Sequence, residues 1–159
     1  MLIVEETDVA EATLPVRHAG RVIVLDPAGR VLLFRYDNEP PNGRHWNTPG
    51  GGLEPGEDYH AGAQRELSEE TGWADVPVLP AEVHQRIVTM EHSGRLVRQY
   101  ERFFLARVPV GQRPLGEVAA MHVSDGIRAS RWWTLAELES TDEKVWPEGL
   151  ADLVRSLMS

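Results

Sequence analysis

The stretch TPGGGLEPGEDYHAGAQRELSEETG, residues 48–72, sets a loop of glycines and prolines directly ahead of a segment of helix-tolerant residues. Glycine and proline break regular structure there, and glycine lets backbone approach a ligand closely. Glu57 and Asp58 give the next segment an acidic start, and Gly72 stands where a left-handed C-terminal cap belongs. The spacing therefore predicts a helix over about 58–71. On it, Glu66, Glu69 and Glu70 sit at i, i+3 and i+4 and fan from one face. Tyr59, Ala63 and Leu67 form an apolar stripe, with Glu66 and Glu70 within or beside it, so these carboxylates do not point freely into water.

Like charges at i,i+4 cost roughly 0.2–0.5 kcal/mol per pair, and carboxylates in a last turn oppose the helix dipole by roughly 0.3–1 kcal/mol each. Three readings of the cluster stand at this point: a solvated acidic face, neutralisation by Arg65, the one arginine on the helix, or a bound divalent cation. One guanidinium does not satisfy three carboxylates. A hard cation such as Mg²⁺ takes oxygen ligands and brings the missing positive charge.

The spacing extends upstream: Gly51, five residues, Glu57, seven residues, Arg65-Glu66-Leu67, one residue, Glu69-Glu70, one residue, Gly72 and Trp73. This resembles the signature of the Nudix hydrolases at every fixed position, with Trp73 where that family usually carries Ile, Leu or Val. The flanking segments VIVLDPAGRVLLF and RWWTLAEL resemble the family's framing of the box. The resemblance implies one Nudix domain over 1–159, with the box at 51–73, folded as an α/β/α sandwich. It also implies Mg²⁺ or Mn²⁺ held by the Gly50 carbonyl, Glu66, Glu69 and Glu70, with Arg65 and Glu57 as an orienting pair beside them; these four acids and Arg65 are the implied catalytic set.

Such a site suits attack by water on a diphosphate linkage, where cations neutralise phosphate charge and acidify water. No covalent nucleophile is required, and the chain has no cysteine. By resemblance the general base is Glu66 or a carboxylate of a later loop, GEVAAMHVSDGIRAS, where Glu117 and Asp125 are the candidates. The substrate expected is a nucleoside diphosphate linked to another group, or a nucleoside triphosphate releasing pyrophosphate. The aromatic–proline run of NADH enzymes and the coenzyme A motif are not evident. The proline that marks ADP-ribose enzymes is missing too, since Pro77 and Pro80 come too early and Val88 occupies its region. A Nudix-like sensor that binds without cleaving is the rival reading.

A charge of −9 argues against a nucleic-acid polymer as partner but not against a nucleotide. The start, MLIVEETDVAEA, has an apolar run of only four residues and reads as neither a secretory signal nor a membrane span. A cytoplasmic protein without a membrane partner is expected, and a homodimer is open. At 159 residues and 42% hydrophobic content the chain suits a single domain.

Period and turn chemistry supply the rest. GRVIVLDPAGRVLLFRY predicts a hairpin turning at Asp26-Pro27-Ala28-Gly29, and NEPPNGRH, 38–45, predicts a loop. EVHQRIVTM and RLVRQYERFFLARV predict strands joined through EHSGR, and IRASRWWT another. Thr134 with Glu137 predicts a capping box, and PEGLADLVRSLM a last helix with Pro147 in its first turn. The elements sum to an α/β fold, a mixed sheet between helices. Trp46 suits either the core or stacking on a base. Trp132 and Trp133 should face opposite sides of their strand. The six histidines show no metal-ligand spacing and read as structural or surface residues. Among Arg35, Arg44, Arg86, Arg98 and Arg102, Arg35 is the first candidate to grip a distal phosphate.

Overall fold

The computed structural model describes residues 13–109 and 126–158. Strands β1 (Val16–Leu25), β2 (Val31–Asp37), β3 (Arg44–Asn47) and β4 (Gly50–Gly52) lead into helix α1 (Tyr59–Thr71). Strands β5 (Glu82–His92), β6 (Arg95–Arg107) and β7 (Ile127–Trp133) follow, then α2 (Leu135–Ser140), β8 (Val145–Trp146) and α3 (Leu150–Leu157). The sheet runs β5-β6-β1-β2-β3-β8, with β4 paired to β1 and β7 to β2. β1–β6 and β3–β8 are parallel, and the other pairs antiparallel.

The centre of the sheet is buried on both faces, so its strands read as continuous apolar runs. Alternation along β1 sends Val22 and Val24 to a cluster with Ala63 and Leu67 of α1. It sends Ile23 and Leu25 to the opposite cluster, with Leu150 and Val154 of α3. The layers are thus helix, mixed sheet, helix, as the sequence predicts. The α1 layer lies very close: a Cβ added to Gly20 of β1 would come 2.3 Å from the Tyr59 carbonyl oxygen and 2.8 Å from the Ala63 nitrogen. None of the described helices is long and apolar enough to cross a membrane.

The hairpin turn forms where predicted. Asp26 Oδ1 accepts the N–H groups of Ala28 and Arg30, and Gly29 takes φ 81°. β1 and β2 nevertheless pair directly only at Leu25↔Val31. Further on, Gly50–Gly52 lie against Ala19–Arg21, so β4 wedges in beside β1 and the two long strands splay. The β5–β6 turn is Ser93-Gly94, both at positive φ (53° and 81°), which suits a two-residue hairpin loop.

α1 begins and ends as the sequence predicts. Asp58 Oδ1 accepts the Ala61 N–H at 2.8 Å, and Gly72, at φ 77°, donates to the Ser68 carbonyl. The capping box of Thr134 and Glu137 is present. Two expectations are corrected. Residues 44–47, half read as loop, form β3, because β2 and the parallel β8 both pair with it. The last helix begins at Leu150, because Gly149 takes a left-handed φ of 77° that a helix does not accept; Pro147 therefore lies outside it. Trp133 is 1% exposed in the α3-side core, and Trp132 packs partly buried on the opposite one.

Candidate functional site

Where β1 and β2 splay, a cavity of about 590 Å³ opens between β4, the end of α1 and the β5–β6 hairpin. Its walls differ in charge. Glu66, Glu69 and Glu70 of α1, with Gly50 and Gly51, form an acidic wall; Arg17 and Arg21 of β1 lie on another side; Tyr36, Asn42, His45 and Asn47 line a third.

On the acidic wall, Glu70 is 3% exposed and its Oε1 accepts the Gly50 N–H at 2.9 Å. Glu66 lies beneath Gly51, whose added Cβ would fall 2.1 Å from Glu66 Oε2. Only glycine leaves that carboxylate its place. Glu69 is the most exposed of the three and accepts from Arg65 NH1 at 3.1 Å. Behind the wall, Arg65 grips Glu57 through Nε to Oε2 at 2.7 Å and NH2 to Oε1 at 3.0 Å, and also donates to the Gly52 carbonyl at 3.0 Å. Glu57 Oε1 in turn accepts the Glu54 N–H. The Arg65 fork bolts the loop to the helix, and its hydrogen bonds hold the Glu57 carboxyl down at about 2. The same pairing raises the Arg65 pKa.

The basic side rests on a buried network. Arg21, 6% exposed, donates to Glu101 at 3.3 Å and to the Thr48 carbonyl at 2.9 Å, which fixes the backbone just ahead of the box. Burial opposes both charges, yet the pair outweighs it: Glu101 raises the Arg21 pKa, and Arg21 with Arg86 lowers that of Glu101. Arg86 reaches Glu101 at 2.9 Å and the exposed Glu148 at 3.0 Å.

The third side is aromatic and amide-rich. His45 stacks between Tyr36 (5.4 Å) and Trp146 (3.9 Å), and its Nδ1 sits 2.9 Å from the Gly43 carbonyl. Burial pulls its pKa down to about 4, so the ring is neutral at pH 7 and Nδ1–H donates to that carbonyl. Asn42 ties the 38–43 loop to β5, giving its N–H to the Glu91 carbonyl at 2.8 Å and accepting the Glu91 N–H at 3.0 Å.

The fold thus gathers Gly50, Glu66, Glu69 and Glu70 on one cavity and sets Arg65 and Glu57 behind them. It does not bring Arg35 or Trp46 there. The two are cross-strand partners, on the opposite face from Tyr36 and His45. Arg35 pairs with Asp37 at 3.1 Å, and Trp46, 5% exposed, packs on Trp133 and donates to Glu143. Glu117 and Asp125 lie outside the described residues. Arg17, Arg21 and His45 went unnoticed as cavity residues in the sequence. The signal for the arginines was present: both fall on one parity of β1, and Arg21 opens the apolar run VIVL.

The donor set is all oxygen, which suits a hard cation. Glu69 is held by Arg65 and Glu70 by the Gly50 N–H, and among the described residues no three acidic or histidine side chains converge as a ready metal-ligand cluster.

A family model described as the NUDIX domain matches residues 15–156. The chain is 40% identical over 101 residues to an RNA pyrophosphohydrolase of Dinoroseobacter shibae, a match covering 55% of this chain and 61% of that protein, under two thirds of its length. Its fold is similar to the MutT protein from Methanosarcina mazei Go1, with TM-score 0.65 and 21% identity over 91% of this chain and 94% of that one. It is similar as well to the NUDIX domain of Shewanella oneidensis NrtR, solved in complex with ADP ribose, with TM-score 0.64 and 16% identity over 98% and 99% of the two chains. A complete box on this helix–sheet–helix frame, matched by the family model across most of its length, makes the chain a member of the NUDIX domain family.

Proposed function

We propose that this chain is a divalent-metal-dependent pyrophosphohydrolase that cleaves a diphosphate linkage of a nucleotide-type small molecule with water. The observation that carries the reading is the buried Glu70, fixed to the Gly50 N–H on the same cavity wall as Glu66 and Glu69. Glu70 lies in the field of Arg21, and a divalent cation would offset the like charges of Glu66 and Glu69 beside it. The all-oxygen donor set fits Mg²⁺ or Mn²⁺.

Glu66, Glu69, Glu70 and the Gly50 carbonyl would hold the ion. When bound, it supplies charge neutralisation on the diphosphate and a lower pKa for attacking water. The chain's own groups do the positioning. Arg65 and Glu57 fix the helix end against the loop, and Arg21 fixes Thr48. Glu66, or a carboxylate of the later loop, would take the proton as water attacks phosphorus, while the bridging P–O bond breaks and the leaving phosphate keeps its electron pair. The neutral aromatic side suits the nucleoside end better than another phosphate. Relatives named for RNA make an RNA substrate the counter-case, against which the charge of −9 argues.

The test is release of phosphate or pyrophosphate from nucleoside triphosphates, nucleotide sugars, ADP-ribose, dinucleotides and a triphosphorylated RNA, with Mg²⁺ or Mn²⁺. One substrate class is expected to turn over, and Glu70→Gln to lose at least ~100-fold. Mg²⁺ should raise the melting temperature of the wild type and not of the variant. Equal activity in both proteins would refute the assignment. Tight binding without cleavage anywhere in the panel would point to a sensor.

A further inference from the structure

Arg17 is a cation of this cavity that lies in the fields of Glu66 and Glu101 but is held by a neutral side chain. It sits on β1 at i and Arg21 at i+4, so both side chains leave the same face and line the cavity. Arg21 and Arg86 share Glu101, and Arg86 also takes Glu148: two cations against two anions. Arg17 adds a third cation, and among the described residues it makes no ion pair. Its NH1 donates to Gln99 Oε1, a neutral acceptor, and Gln99 Nε2 in turn donates to Glu101 at 2.7 Å. Gln99 is fully buried, so Arg17 is aimed by a rigid amide but not neutralised by it.

Space has been made for that aim. A Cβ on Gly52 would fall 2.7 Å from Arg17 NH2 and 3.0 Å from its Cζ, so a side chain there would strike the guanidinium head-on. Gly51 makes the equivalent room for Glu66. Successive glycines of β4 therefore seat a carboxylate on one side and a guanidinium on the other. Burial chiefly, with the nearby charge of Arg21, weakens the protonated form of Arg17, while the carboxylates of Glu66 and Glu101 support it.

We propose that Arg17 is the anion-binding residue of this cavity, its guanidinium receiving a phosphoryl oxygen of the substrate's diphosphate across β4 from Glu66. The assignment rests on the pyrophosphohydrolase reading above. It makes Gln99 a positioning residue, acting through Arg17, and it explains why the third glycine of GGG is needed. A guanidinium fork suits phosphate oxygens better than the point charge of lysine does.

The test uses imidodiphosphate, a non-hydrolysable diphosphate, titrated calorimetrically into the full chain with and without Mg²⁺, for wild type, Arg17→Gln and Arg17→Lys. Arg17→Gln is expected to weaken binding about 10- to 100-fold, and to raise KM for the cleaved substrate by a similar factor with a smaller change in kcat. Arg17→Lys should recover part of the loss, and it decides the matter if the glutamine variant melts early. Unchanged affinity and KM in Arg17→Gln, or no binding to the wild type in either metal state, overturns the proposal. The substrate panel separates the two ideas. If the wild type cleaves nothing in it while Arg17→Gln still loses imidodiphosphate, the hydrolase reading fails and the anion site stands; if the wild type cleaves a panel member and Arg17→Gln binds imidodiphosphate normally, the reverse holds.

Discussion

Arg65 holds Glu57 with two parallel hydrogen bonds, 2.7 and 3.0 Å long, across eight residues of sequence, and the same guanidinium reaches the Gly52 carbonyl and Glu69. One planar fork therefore ties Glu57, just ahead of α1, to the box loop and to Glu69. Arg65→Lys keeps the charge and loses the fork. Turnover is expected to fall about 10- to 100-fold, the usual cost of removing a group that orients ligands. The pair also sets an acid limit. Glu57 is depressed from 4.5 to about 2, so its contribution to stability is complete above pH 4.5 and lost as pH falls through 2. Glu57→Gln should flatten the stability curve in that window; a curve that superimposes on the wild type would remove the pair from the account.

Gly20 is where α1 meets the sheet. Alanine there would set Cβ 2.3 Å from the Tyr59 carbonyl oxygen, which is backbone and cannot swing away. Either the helix lifts or the strand bends. Gly20→Ala is expected to lower unfolding free energy by roughly 1–3 kcal/mol and to reduce activity as well, because the same helix carries Glu66, Glu69 and Glu70. Denaturant midpoints of Gly20→Ala and the wild type measure it. Equal midpoints for Gly20→Ala and wild type would mean that the layers are looser than this geometry.

His45 predicts the behaviour in mild acid. Its folded pKa is depressed from 6.5 to about 4, chiefly by burial. Between those values the unfolded chain binds a proton that the folded chain refuses, so stability is full above pH 6.5 and falls as pH drops to 4. The loss amounts to about 3 kcal/mol. His45→Gln removes that slope, whatever constant offset it brings. The check is the gap in unfolding free energy between variant and wild type at pH 7 and pH 4. A gap independent of pH would mean that the ring protonates in place.

The local pieces of this protein are legible from residues a few positions apart. Asp58 and Gly72 bound α1 because capping is decided within a turn of the residue concerned, and the i, i+3, i+4 spacing of Glu66, Glu69 and Glu70 put their carboxylates together because helical period is fixed by the backbone. The Asp26 turn, the Thr134 capping box and the family box were legible for the same reason. The tertiary structure alone decided what faces those carboxylates. Strand parity says that His45 and Asn47 share a side and that Trp46 takes the other, yet it does not say which side is cavity and which is core. That depended on β8 pairing beside β3 and on α3 covering Trp46's face. Likewise Arg17 and Arg21 became a cavity wall only because β4 displaces β2 from β1, and Arg35 missed it because it lies opposite Trp46. Local propensity acts over a few residues, whereas the second half of the site is made by strands that meet across 80 positions of chain, and only packing brings them together.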